Sequence, residues 1–171
     1  PDFGRLPENA PCENCVEVLE KRTVDERYFI NLNDPKEFFM QRALGDLHHS
    51  VNGEWVTIDP SLHPVSGTRY ESGYLPDQPA IDFAAKRTEL KTANGTLHFN
   101  NWKLIVVQNG TEAGQYTADW ADYTVGSDGA MIHHIFPGID AEMIVQRGAI
   151  KTSFIIKSNE FGVFDHLVFR E

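Results

Sequence analysis

The sequence predicts a mainly β chain, an antiparallel β-sandwich with hairpin connections and at most one or two short helices. Three observations carry this reading. Short apolar or alternating runs recur from Val16 onward, at the length of strands rather than helices. Asn52-Gly53, Asn94-Gly95, Asn109-Gly110, Asp128-Gly129 and Arg147-Gly148 punctuate them, and Asn-Gly or Asp-Gly accepts the positive φ that tight hairpin turns demand. No long helical stretch separates the runs, as an α/β fold requires.

In chain order, residues 1 to 15 read as an extended leader with Pro1, Pro7 and Pro11. Residues 16 to 171 read as a single sandwich-like domain, a size that buries a substantial core. Strands are predicted at Arg27 to Leu32, Glu37 to Arg42, Glu54 to Ile58, Thr88 to Thr92, Thr96 to Phe99, Trp102 to Gln108, Ala130 to Phe136, Ala141 to Gln146 and Ile150 to Lys157, with Glu37 to Arg42 overlapping a candidate helix. A short helix is expected only at Cys15 to Arg22 or Pro35 to Leu44, where Pro35 follows Asp34 as a cap. Leu62 to Pro79, rich in Pro, Ser, Gly and Tyr, reads as a long loop with room for one short strand. Ile105, Val107, Ile132, Ile144, Phe154 and Ile156 are the expected inward-facing residues.

Composition narrows the partners. Lysine and arginine number 15 against 25 acids, a net charge of -10, which repels phosphate backbones and anionic membranes alike. Nucleic acid is therefore not an expected partner. No window supplies the roughly 18 to 20 apolar residues of a membrane helix, so membrane insertion is not expected either. The chain opens on Pro1 without a signal-peptide pattern, which reads as a terminus already removed from a larger protein.

The cysteines form a single C-E-N-C, Cys12 and Cys15. A tetrahedral zinc site needs about four ligands, and no second C-x-x-C or spaced histidine pair supplies them. A thioredoxin-type redox pair belongs at a helix start after a strand, not in a Pro-rich leader. The remaining readings are a local disulfide in an oxidising compartment or two free thiols.

Histidine pairs stand at His48-His49 and His133-His134, weak candidates for a metal site because neighbours on one strand point to opposite faces. No cofactor is expected. Asp59 and Asp140 each follow isoleucine near a strand end, and the simpler expectation is that each accepts backbone N–H bonds at a turn. Ser127, His133 and Asp140 supply the residue types of a hydrolase triad, yet Ser127 lacks the G-x-S-x-G elbow. Asn31 to Asp34 lacks the register of a calcium loop. Asn94 and Asn109 begin N-G-T sequons, read first as turns. Trp55 and Trp102 begin or occupy apolar strands and are expected in the core. Trp120, Tyr116 and Tyr74 are the ligand-binding candidates, since exposed aromatic faces stack on sugars and anchor protein partners.

Two segments resemble known modules. L-H-H-S-V-N-G-E-W-V-T-I-D-P-S-L, from Leu47 to Leu62, is similar to a segment near the amino terminus of large secreted bacterial proteins of the Rhs/YD-repeat, wall-associated type. I-H-H-I-F-P-G-I-D-A-E-M-I-V, from Ile132 to Val145, followed by Ala149 to Ser158, resembles a strand-turn-strand of those modules. A similar pair occurs in the domain that precedes seven-bladed propeller repeats in other bacterial secreted proteins. The resemblance implies a non-catalytic structural or interaction module of an exported, surface-associated bacterial protein, secreted or displayed at the cell surface, and transfers no catalytic residue. Its expected partners are other domains of the same large chain or a surface protein. A carbohydrate-binding module is the alternative, and a metal-dependent hydrolase the second.

Overall fold

The computed structural model describes residues 10–146 and 149–171. Among them lie seventeen strands in five sheets, every pairing antiparallel. The chain groups into two compact units, Pro1–Ile58 and Asp59–Glu171.

The first unit contains β1 (Cys15–Glu17), β2 (Glu26–Asn31) and β3 (Phe38–Arg42) in one sheet, and the hairpin β4 (His48–Val51) with β5 (Glu54–Thr57) in another. Asn52 and Gly53, at φ 52° and 89°, make the β4–β5 turn foreseen from the Asn-Gly pair. Neither segment open to a short helix forms an α-helix. Asp34 accepts the Lys36 N–H and caps only a turn, after which Phe38, Phe39 and Met40 pair with β2. At Cys15 to Arg22 the chain makes β1 and one 3₁₀ turn, Leu19–Lys21.

So short a unit buries few apolar side chains, chiefly Val16, Val18 and Phe29, and small cores need other ties. One is the Cys12–Cys15 disulfide, whose buried Cys15 opens β1 and joins the leader to the sheet. The other is Glu17, whose oxygens accept bonds from Arg22 at 2.8 and 2.9 Å and Arg27 at 3.1 and 2.8 Å. Burial raises this carboxyl's pKa, but the two guanidiniums outweigh it and hold the group at about 2.

His48 is fully buried, and its Nδ1 donates to the Thr23 carbonyl at 2.7 Å. Burial lowers the pKa of the ring, outweighing that bond. The unfolded chain therefore takes up the proton first as pH falls. The stability His48 contributes is complete above about pH 6.5 and lost as pH falls toward the lowered folded value. Amide exchange in the first unit should accelerate as pH falls below about 6.5, relative to its intrinsic dependence, and His48→Leu should flatten that trend.

The second unit holds three sheets. The first comprises β6 (Asp59–Ser66), β7 (Arg69–Tyr74), β8 (Ala80–Asp82), β9 (Arg87–Thr92) and β10 (Gly95–Asn100), in order β10-β9-β8-β7-β6. The second is β12-β11-β17, formed by β11 (Lys103–Gln108), β12 (Thr111–Thr117) and β17 (His166–Arg170). The third is β13-β14-β15-β16, formed by β13 (Tyr123–Val125), β14 (Gly129–Phe136), β15 (Ile139–Gln146) and β16 (Ala149–Ile156).

Asn109-Gly110 makes the β11–β12 turn at φ 50° and 70°. Asn94 lies in the β9–β10 turn, and Asp128 precedes β14. Arg147-Gly148 lies outside the described residues. The long loop expected from Leu62 to Pro79 is instead mostly β6 and β7 around Gly67. Proline tolerates an end strand, where a missing N–H breaks no ladder, and β6 carries Pro60 and Pro64 at the end of its sheet.

Aromatic rings join the sheets. Phe83 stacks on Tyr123 at 3.7 Å and tilts against Trp120; Trp102 meets Trp120 at 4.9 Å; Phe154 stacks on Phe169 at 4.1 Å. Such contacts between sheet faces make the second unit sandwich-like. Ile105 and Ile132 are buried as expected. On β15, however, Ile139, Ala141, Met143 and Val145 face inward, leaving Ile144 half-buried on the other face. Ile156 is exposed where β16 ends.

Candidate functional site

A cleft of about 410 Å³ opens in the second unit, within the range of ligand pockets. β9 contributes Thr88 and Leu90, β10 Phe99, β16 Ile150, Thr152 and Phe154, and β17 Phe169 and Arg170. Trp102, just before β11, also lines it and meets Phe154 edge to face at 5.8 Å. The alternation of β16 aims Ile150, Thr152 and Phe154 to one side. Polar groups are few: the two threonines, Arg170 and Glu171. An apolar body with sparse polar contacts is what this arrangement can hold.

The aromatic candidates fall elsewhere. Trp120 is 2% exposed, so its reading as a surface platform does not hold. The Ala118 N–H bonds the Trp102 carbonyl and the Asp119 N–H the Ile135 carbonyl, which pins the β12–β13 connection and drives the indole inward despite polar neighbours. Tyr116 is half-buried, edge to face with Phe161 at 5.2 Å. The Tyr74 side chain lies outside the described residues. Trp55, expected in the core, is 38% exposed, because β4 and β5 form only a two-stranded sheet. Trp102 is buried as expected, yet also lines the cleft.

The histidines behave locally. His48 is buried and His49 half-buried, and each Nε2 is enclosed without a hydrogen-bond partner among the described residues. His133 Nδ1 lies 3.8 Å from an Asp140 oxygen, while its Nε2 faces the Thr124 hydroxyl at 3.4 Å. Asp140 is 5% exposed; it accepts the His134 N–H at 2.9 Å and pairs with Lys157 at 3.2 Å. The His134 bond first, then Lys157, hold its carboxyl below the usual range. His134 sits at φ +52°, inside the β14–β15 register shift. Asp140 thus fastens a bulge. Ser127, the hydroxyl of the imagined triad, bonds Asp128 instead. Asp59 accepts the Ser61 N–H, the turn role expected of it. Among the described residues no three His, Cys, Asp or Glu gather to hold a metal ion.

No protein family, curated protein or solved structure matches the chain. The cleft was not foreseen from the sequence. Its residues come from four strands in three sheets, and β17 was not predicted at all, although His166 to Arg170 carries an apolar run that could have marked it.

Proposed function

We propose that the chain is a non-catalytic interaction module of an exported, surface-associated multidomain bacterial protein, and that the aromatic cleft of the second unit is its binding site. The cleft carries this reading: apolar and aromatic walls, few polar groups and a volume suited to side chains of a partner. The Cys12–Cys15 disulfide fits an oxidising setting, and the two segments resembling secreted repeat proteins fit a place beside other domains. The charged clusters support folding instead of chemistry, since Glu17 and Asp140 are each held by neighbouring cations and backbone.

The test is an anionic apolar dye, anilinonaphthalene sulfonate, titrated into the folded chain. Saturable one-to-one binding is expected, weakened by roughly tenfold or more in Ile150→Glu, which sets a carboxylate in the cleft. Absence of saturable binding, or an affinity unchanged by Ile150→Glu with circular dichroism intact, contradicts the assignment. The encoding gene tests the setting: an export signal and repeat domains in the full product support it, and a short reading frame with neither overturns it.

A further inference from the structure

We infer that the cleft receives an extended, carboxylate-bearing segment of a different polypeptide, added as a strand along the free edge of β16. This rests on the cleft being the binding site and specifies the form of what binds.

The edge is open. Among the described residues β16 pairs only with β15, and β17, across the cleft, pairs only with β11, so each ends its sheet. Hydrogen bonding alternates along an antiparallel pair. The Lys157 N–H points inward, donating to the Gly138 carbonyl at 2.8 Å. By alternation Ile155, Ser153 and Lys151 also bond to β15, while Ile150, Thr152 and Phe154 turn their N–H and C=O groups outward. These three residues also line the cleft, with Ala149 at the start of the strand. They span about 13 Å of strand, a row of unmet donors and acceptors beside an apolar wall.

Among the described residues of the second unit, β16 carries none of the features that block pairing at its outward-bonding positions. Proteins blunt end strands with charge, proline or bulges, and β6 does so with Pro60 and Pro64. In β16 the outward-bonding positions are Ile150, Thr152, Phe154 and Ile156, all good strand formers, none charged. Its pairing with β15 runs through eight residue pairs without a register shift. Main-chain bonds to such an edge supply affinity, and side-chain pockets beside it supply selectivity.

Charge chooses the occupant. Arg170 lines the cleft, and Lys103 is its cross-strand neighbour. Neither has an acidic partner among the described residues, and Glu171 is the acid of the lining. In a chain of net charge -10, a second copy brings the same repulsive charge. A different polypeptide with an acidic residue beside its apolar positions meets both the walls and the Arg170 cation of the lining.

The test uses blocked seven-residue peptides in which threonine alternates with Val, Ile, Phe or Tyr and a single aspartate stands at one end. The tightest binder is then remade in two forms, each N-methylated on alternate residues along one edge. Methylation of the edge facing β16 should weaken binding by roughly tenfold or more, and methylation of the other edge should leave it within about twofold. In the complex the Ile150, Thr152 and Phe154 amides should exchange at least about tenfold more slowly, and Arg170→Glu should weaken the aspartate peptide but not its asparagine counterpart. Equal binding of both methylated forms overturns strand addition while leaving the cleft as a site. Failure of all peptides with dye binding retained does the same, whereas loss of dye and peptides together defeats the cleft reading. A dimer in sedimentation equilibrium, protected at Ile150, Thr152 and Phe154, assigns the edge to a second copy and overturns the choice of partner.

Discussion

Replacing Trp120 by alanine is expected to destabilise the second unit by about 3 to 5 kcal/mol, the cost of deleting a large ring from a filled core. The indole is almost wholly enclosed, tilted against Trp102 at 4.9 Å and Phe83 at 6.2 Å. Its loop is tied to Trp102 and Ile135 by backbone bonds, so the surrounding sheets cannot collapse into the space without breaking them. Urea unfolding followed by amides of β11 and β14 measures the loss. A change below about 1 kcal/mol would mean that the ring lies at the surface after all.

The second large effect belongs to the first unit. Glu17→Ala should cost about 3 to 5 kcal/mol at neutral pH, because it leaves Arg22 and Arg27 half-buried around a missing carboxylate. The pH dependence follows from the direction of the shift. Glu17 has a folded pKa of about 2 against an ordinary 4.5, so its contribution is whole above 4.5 and fades as pH falls toward 2. The difference between wild type and Glu17→Ala, read by exchange of β2 amides, should therefore shrink on acidification. A difference that stays constant from pH 7 to about 3 contradicts the pairing.

The fold was legible where the chain follows local rules. Asn52-Gly53 and Asn109-Gly110 name their own turns because only those backbone angles suit a two-residue hairpin. The long apolar runs of β11, β14, β15 and β16 were visible for the same reason. Reading stayed open, or failed, where a neighbour decided. Glu37 to Arg42 reads both as a strand-length run and, after Asp34-Pro35, as a helix start, and the edge offered by β2 decides for the strand. Proline in β6 resembles loop until one knows that this strand ends its sheet.

The site was less legible still. Trp120 and Trp55 exchange the places that their flanking residues suggest, since burial depends on which sheet covers a side chain and not on the polarity of adjacent positions. The histidine pairs drew attention by composition, but His48 serves a buried bond to Thr23 and His133 stands beside an aspartate that secures a bulge. The cleft joins Leu90, Phe99, Trp102, Phe154 and Phe169, residues far apart in sequence whose meeting depends on the packing of three sheets. No local pattern encodes that meeting.

Nitrogen-15 amide shifts recorded while the cleft-binding dye is titrated into the folded chain test the central claim most directly. The largest changes should fall on Leu90, Phe99, Trp102, Ile150, Thr152, Phe154 and Phe169 and saturate with one dissociation constant. Changes centred on Tyr116 and Phe161, or on Trp55, with those seven amides unmoved would place binding elsewhere and contradict the account.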